Sequence, residues 1–455
     1  MQTDGAGDTT SPRPDGTADL GVDTDDQGGD AGLDDVADGG GDGAPSAPAW
    51  TRLVDGGGND VFTDVDTDSS GNVYVAGTAS ELHGLRKGGP VVEGQSDAVL
   101  AKYAPDGTRK WVRAFGAEGR DGAVGLDVQG VGGDGPVALA WNAELDADEN
   151  LKARVTSVPR DGEGGTTRKL DVPDIPGDQH VDWPVLARDV AKTLHGIRLV
   201  GSADDRDFGK PKNGHPGKHD DAFVATFDDK LAARKSIRFR SKGGAWDAGA
   251  AIVGQSIDDA PRWLVVHGGG PIVLDHPHGS PGSATVVQTN HAWTNAERLW
   301  GVDLGYLTAP PRTVVVVGAS GGAPSADEPH ADALVAGYTS GGKQRFSTTF
   351  GGEETDVATG VDTTGGDTFW VTGSTSRTPK TGDAPTHAFL ARLDVDGNRV
   401  ATSTFGEGGD TNAYDLATGP QGRIWIVGAT SGVVGGRPAN GATSHSAAFL
   451  TRWKR

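Results

Sequence analysis

The chain contains no cysteine. That absence removes disulfide bridges, thiolate metal sites and cysteine nucleophiles from consideration. It also lacks any run of about 18 apolar residues, the length that a membrane-crossing helix needs, and it has no apolar signal-peptide core. Aromatic residues make up 6% and hydrophobic residues 35% of the 455 positions, which is sparse for a chain of this length. Lysine and arginine number 41 against 63 acidic residues, and they form no basic cluster. A phosphate backbone needs a basic face, so nucleic acid is excluded as a partner. No Gly-x-Ser-x-Gly, His-Glu-x-x-His or phosphate-loop pattern stands out, so neither a catalytic residue nor a cofactor is assigned. A pair of carboxylates brought together from distant segments stays open as a route to glycoside chemistry.

Glycine is abundant, with 73 residues beside 25 prolines, as in a chain of many tight turns. Residues 1–47 hold 12 Asp and one Arg, a net charge of −11 and half of the formal −22 of the whole chain. A stretch such as Asp23-Thr24-Asp25-Asp26-Gln27-Gly28-Gly29-Asp30 buries too little apolar surface to offset its ordering entropy, and its charges repel one another. Residues 1–48 are therefore expected to be a disordered, extended tether. The tether resembles the spacer that follows the lipidated cysteine of bacterial surface lipoproteins. That resemblance implies a lipid anchor upstream of Gln2 and a place outside the cell, either extracellular or on a bacterial outer membrane. An acidic tail on a cytoplasmic protein is the other reading.

From residue 49 onward a unit of four short pieces recurs. Its clearest copy runs Asp356-Val357-Ala358-Thr359-Gly360-Val361-Asp362, then Thr368-Phe369-Trp370-Val371-Thr372-Gly373, then Ala388-Phe389-Leu390-Ala391-Arg392, then Val400-Ala401-Thr402-Ser403-Thr404-Phe405-Gly406. Each piece is rich in β-branched or aromatic residues and bounded by Gly, Asp or Asn, the signature of a strand. Four strands at a fixed period read as a propeller blade. An Asp opens each unit, at Asp60, Asp121, Asp182, Asp247, Asp303, Asp356 and Asp410, with intervals of 53 to 65 residues. The small residue ending the second strand and the Ala-Phe-Leu-Ala-like third strand give the same count of seven, although the second unit has a degenerate Ala140-Trp141. The last unit stops after its third strand. The fourth-strand pattern, seen as Lys110-Trp111-Val112-Arg113-Ala114-Phe115-Gly116 in the first unit, occurs instead at Ala49-Trp50-Thr51-Arg52-Leu53. The expected fold is therefore all-β: residues 49–455 form a seven-bladed β-propeller of four-stranded antiparallel blades. An N-terminal strand pairing with the last blade closes it, which leaves no open sheet edge.

These units resemble the bacterial β-propeller repeat known as SBBP, on Gly71-Asn72-Val73-Tyr74-Val75-Ala76-Gly77-Thr78 and Asp221-Ala222-Phe223-Val224-Ala225. The resemblance implies the propeller fold and frequent placement on bacterial surfaces. It carries no catalytic residues.

Strands within a blade are antiparallel, so alternate connections emerge on opposite faces. Connections such as Ser69-Ser70-Gly71-Asn72 and Pro105-Asp106-Gly107-Thr108 are short hairpins. Those between the second and third strands are long, as in residues 78–97, 203–221 and 429–446. The seven opening Asp residues lie on that long-loop face, as do His83, His215, His219, His276, His278, His330, His387 and His445. It is the expected ligand face, because rigid scaffolds carry function on their loops. The Asp row either surrounds the channel mouth or accepts backbone N–H bonds where strands begin. Asp64, Asp66 and Asp68 have the spacing of a calcium loop, but Asp66 recurs as Asp127 and Asp362 and the acidic residue at the far end is missing. His215-Pro216-Gly217-Lys218-His219 lies in a Gly/Pro-rich loop unlike a preformed metal cage. No metal is assigned.

The functional expectation is a non-enzymatic cell-surface scaffold that presents the loop face to a protein or glycan. An extracellular hydrolase or lyase acting on polysaccharide or peptide is the alternative, and a structural envelope component is a further one.

Overall fold

In the computed structural model, description covers residues 47–454 with gaps. The gaps longer than five residues are 81–95, 129–134, 145–150, 171–184, 205–219, 240–247, 254–261, 276–284, 289–296, 321–330 and 377–384. The expected tether lies outside the described residues apart from its last two positions. The only helical element among the described residues is a single 3-10 turn, Pro420–Gly422; everything else regular is β.

The chain starts with β1 (Pro48–Val54). A first antiparallel sheet follows, of β2 (Val61–Thr67), β3 (Val73–Ser80), β4 (Ser96–Tyr103) and β5 (Arg109–Phe115). The second is β6 (Asp121–Asp127), β7 (Val137–Glu144), β8 (Leu151–Val158) and β9 (Thr166–Lys169). The third is β10 (Val185–Thr193), β11 (Gly196–Asp204), β12 (Asp220–Phe227) and β13 (Ala233–Phe239). The fourth is β14 (Ala248–Val253), β15 (Arg262–His267), β16 (Gly270–Asp275) and β17 (Thr285–Gln288). The fifth has β18 (Glu297–Arg298), β19 (Leu304–Leu307), β20 (Thr313–Ser320), β21 (Asp332–Thr339) and β22 (Gln344–Phe350). The sixth is β23 (Thr355–Asp362), β24 (Thr368–Ser376), β25 (Thr386–Asp394) and β26 (Arg399–Phe405). The last begins with β27 (Thr411–Gly419) and β28 (Arg423–Thr430), carries a small hairpin of β29 (Val433–Val434) and β30 (Arg437–Pro438), and ends with β31 (Ala447–Trp453).

Two departures from four separate strands per unit appear. A single parallel bridge, Val185–Lys152, joins β10 to β8, so the second and third sheets are continuous where the chain passes between them. In the fifth sheet the innermost strand is split into β18 and β19, each pairing with a different end of β20. The second unit, degenerate in sequence, still forms all four strands, with β9 short.

The last sheet is completed by the start of the chain. β1 pairs antiparallel with β31 from Pro48–Trp453 to Val54–Ala448, giving the order β1-β31-β28-β27. The seam with the first sheet is apolar. Phe62, Val65, Val73, Val75, Ala101 and Tyr103 pack there with Ala417, Trp425, Val427, Ala448 and Leu450. Trp425 is fully buried and its ring lies 5.2 Å from that of Trp50 on β1. Innermost strands follow one another in contact, β2 on β6, β6 on β10, β10 on β14, β14 on β19 and β23 on β27; β27 packs on β2.

A repeated device joins the outer edges. The fourth-strand aromatic of one sheet lies beneath the third-to-fourth hairpin of the next. Gly107, at φ +85°, stands where a Cβ would come 3.0 Å from the Trp50 ring, and Gly162, at φ +79°, where one would come 2.7 Å from Trp111. Glycine is needed at both for its positive φ and for the close approach. Arg52 Nε donates to Gly107 O at 3.0 Å, and Trp111 Nε1 donates to Arg160 O at 3.0 Å. β1 thus relates to the first sheet as β5 relates to the second.

Candidate functional site

The two faces are made of different local chemistry. On one, hairpins are closed by aspartates. Asp68 Oδ1 accepts the N–H groups of Ser70 and Asn72 at 3.0 and 2.9 Å, Asp228 Oδ1 those of Lys230 and Ala232 at 3.0 and 2.8 Å, and Asp394 Oδ1 those of Asp396 and Asn398 at 3.0 and 2.8 Å. These Asx turns consume the carboxylate locally. Asp68 is buried, and its Oδ2 also accepts from Asn72 Nδ2 at 2.8 Å and Tyr74 OH at 3.2 Å, with Arg160 at 3.5 Å and Lys102 at 3.8 Å. Its oxygens are therefore committed inside the hairpin. Asp64 and Asp66 instead address backbone of the second sheet, so the three acids do not converge as a calcium loop requires.

The opposite face bears the opening aspartates. Asp60 is buried; its Oδ1 accepts the Ser80 N–H at 2.6 Å, and its own N–H donates to Ser446 O at 2.8 Å. Asp410 is exposed, and its Oδ1 accepts the Thr386 N–H at 2.8 Å. Asp121 and Asp356 are buried at the starts of β6 and β23; the Asp356 N–H donates to Ala331 O at 2.6 Å. The side chains of Asp60 and Asp410 thus tie the entry to an innermost strand to the end of β3 and the start of β25. Asp182, Asp247, Asp303, His215 and His219 lie outside the described residues, as do His83, His276, His278 and His330. His387 is described, with Nδ1 2.6 Å from Gly406 O, and His445 is exposed.

The innermost strands hold an arrangement that sequence reasoning did not single out. Each described strand of this kind, β18 and β19 apart, bulges near its start, after its second to fourth residue: between Phe62 and Asp64, Ala123 and Gly125, Ala187 and Asp189, Gly249 and Ala251, Ala358 and Gly360, and Ala413 and Asp415. A bulge re-aims the side chains that follow it. Past the bulge, carboxylates reach to the next sheet's backbone. Asp415 Oδ2 accepts the Val65 N–H at 2.9 Å, Asp64 Oδ2 the Leu126 N–H at 2.5 Å and Asp66 Oδ2 the Val128 N–H at 2.8 Å. Asp127 Oδ2 accepts the Lys192 N–H at 2.8 Å, and Asp362 Oδ2 the Thr418 N–H at 2.5 Å. Burial pushes the Asp64 carboxyl above the usual carboxylate range, against hydrogen bonds from Asp415, Leu126 and Val65. Burial and then the charge of Asp127 push Asp66 well above it. The recurrence of Asp66 as Asp127 and Asp362 was the available sequence signal. Among the described residues no group of three or more His, Asp or Glu is placed to hold a metal ion, and no helix is long and apolar enough to cross a membrane.

No protein-family model matches the sequence, and no curated protein matches it. Solved structures of similar shape include the uncomplexed acylaminoacyl peptidase of Pyrococcus horikoshii, at TM-score 0.43 and 9% identity over 87% of this chain and 51% of that one. The β-propeller domain of the Trilobed protease from Pyrococcus furiosus gives 0.42 and 9% over 87% and 93%. The haemagglutinin-neuraminidase ectodomain of parainfluenza virus 5 gives 0.45 and 8% over 90% and 86%. This chain spans about half the length of the peptidase. Likeness this remote carries nothing about activity.

Proposed function

We propose that the protein is a closed, seven-bladed β-propeller that serves as a non-enzymatic binding scaffold, taking a protein or glycan on its long-loop face. The pairing of β1 with β31 and the packing of β27 on β2 support the closed ring. The recurrence of the opening Asp and of the second- and third-strand patterns supports the count of blades.

One observation carries the choice of face. The hairpin face spends its carboxylates on its own turns, at Asp68, Asp228 and Asp394, while the connections on the other face are too long for such closure. Recognition then rests with the long connections rather than with the Asp row, since Asp60 and Asp410 each give an oxygen to a backbone N–H. The resemblance of residues 1–48 to the spacer of bacterial surface lipoproteins supports display outside the cell through that acidic tether.

The test is capture of a partner or of arrayed glycans by the full chain and by a variant with residues 205–219 replaced by a short Gly/Ser turn. Loss of binding with unchanged thermal unfolding supports the reading. Binding that survives shortening of each long loop in turn contradicts it, and glycan or peptide turnover lost on Asp→Asn change of the opening residues favours the hydrolase instead.

A further inference from the structure

The fold assembles a group of cations that no run in the sequence shows. On the last sheet Trp50, Arg452 and Trp425 are register partners across β1, β31 and β28, so they share one face. Arg52 and Arg423 lie two residues along from Trp50 and Trp425 and present that same face. Arg52 and Arg452 both stand over the Trp50 ring, their guanidinium carbons 5.4 and 5.8 Å from its centroid. Arg52 Nε donates to Gly107 O and Arg452 to Pro105 O, each at 3.0 Å. A terminal nitrogen of Arg423 stands 3.3 Å from where a Cβ would be on Gly71. All three arginines thus converge on turns of the first sheet, at the hairpin-face end of the seam that joins the chain ends. Exposed Lys454 follows Trp453, the register partner of Pro48.

These cations are stabilised by neutral groups. Their hydrogen bonds go to the two carbonyls and, from Arg423, to Gln421 Oε1, and none of the three makes an ion pair among the described residues. Burial, then the charge of Arg423, presses the Arg452 guanidinium below its usual range, with Asp106 acting the other way. Asp106 already gives Oδ1 to the Thr108 N–H at 2.9 Å. A guanidinium carries five N–H donors, so each arginine has donors left over, and each is only half-buried.

Like charges gathered at a seam attract an anion. The body of the protein carries half of the formal −22 and repels a free one. The other half is attached beside the patch, since residues 1–47 hold 12 Asp and lead directly into β1 at Pro48. Attachment by a flexible segment gives an effective concentration on the order of millimolar. Attraction between many charges also needs no single geometry.

We propose that the acidic leader, residues 1–47, lies back over Arg52, Arg423 and Arg452 and neutralises the seam that closes the chain. The leader then occupies the hairpin face and leaves the long-loop face uncovered. Docking of this kind needs the pairing of β1 with β31 and nothing from the long loops, so its failure leaves the recognition reading untouched.

The protein has no thiol of its own, so a nitroxide on a Thr10→Cys variant of the full chain reports where the leader lies. A leader wandering freely would keep the label on average roughly 35 Å from Trp50. At about 20 mM salt the label is expected to erase the Trp50 indole N–H resonance and to spare that of Trp141, two sheets away. At about 1 M salt, where the screening length is about 3 Å, the Trp50 signal should return. Arg52→Gln combined with Arg452→Gln should restore it at low salt, whereas Lys230→Gln, on an exposed turn of the third sheet, should not. Should the double arginine variant fail to fold, changing the leader aspartates to Asn leaves the folded body as it is and should restore the signal equally. The proposal is overturned by a Trp50 signal that stays sharp at low salt or is erased together with that of Trp141. It is overturned as well by a signal still erased in high salt, without the two arginines or without the leader's charge.

Discussion

Between the sixth and last sheets Gly360 lies against Asp415, whereas between the last sheet and the first Asp415 lies against Asp64. Both seams join bulged innermost strands and bury a tryptophan from the second strand of a sheet, Trp370 in one and Trp425 in the other. They differ in how the chain crosses them. The first is an ordinary step along the chain. The second brings together residues 350 apart in sequence, held by Val65–Asp415, and leans on a strand borrowed from the other end of the protein. A seam made by sequence neighbours needs only packing. A seam made by chain ends must also offset the entropy of holding them together, and here it has the Trp50–Trp425 contact, the β1–β31 ladder and the bond from the Val65 N–H to Asp415.

Removing β1 should break the comparison most completely. In high salt a chain beginning at residue 47 is expected to unfold like the full chain. One beginning at residue 56 leaves β31 as an open edge and exposes Trp425, so it should lose its cooperative transition or associate through that edge, as read by chemical denaturation and light scattering. Next in size is Trp425→Ala, expected to cost about 3–5 kcal/mol because a fully buried indole leaves a cavity. Trp370→Ala should cost a comparable amount at the other seam, and a far smaller loss for Trp425→Ala would show that the two seams are not built alike. Gly107→Ala should cost roughly 1–2 kcal/mol from its positive φ alone, with more added where Trp50 cannot shift. In the double variant with Trp50→Ala that added part should vanish, which a double-mutant cycle measures.

The smallest effect separates the hairpin turns from the bulged innermost strands by the sign of its pH dependence. Burial works against the charge on Asp394, but hydrogen bonds from Asn398, Asp396 and Gly397 outweigh it and hold its carboxyl below the usual range. Its contribution is present above the unfolded value and is lost as pH falls through the folded one. Asp394→Asn should therefore cost about 0.5–1.5 kcal/mol near neutrality and close to nothing in strong acid, as followed by thermal unfolding across pH. Asp64 runs the other way.

Much of the sheet structure was legible because each strand is punctuated by Gly, Asp or Asn and filled with alternating apolar residues. The borrowed strand was legible too, since Trp50-Thr51-Arg52-Leu53 carries the pattern of Lys110-Trp111-Val112-Arg113 and both tryptophans lie under a neighbouring hairpin glycine. The bulges were not. An inserted residue needs no particular side chain: Thr63 and Thr359 are both threonine, but Val124, Arg188, Ala250 and Tyr414 are not. The acid pair was illegible for a related reason. Asp64 and Asp415 follow bulges in units at opposite ends of the sequence, and nothing local distinguishes them from the hairpin aspartate Asp68. Residues such as His215 and His219 mark the long loops by composition alone, which fixes no geometry.

The claim on which the rest depends is that β1 completes the last sheet, and the absence of cysteine makes it directly measurable. Thr51 and Thr451 are register partners, both buried, with hydroxyl oxygens 3.1 Å apart. A Thr51→Cys, Thr451→Cys double variant has the only two thiols in the protein, close enough for a disulfide. Mild oxidation is predicted to give a monomer with one internal bridge, seen by intact mass and by faster migration in non-reducing gels. Thiols that stay free, or that link separate molecules, would contradict the account.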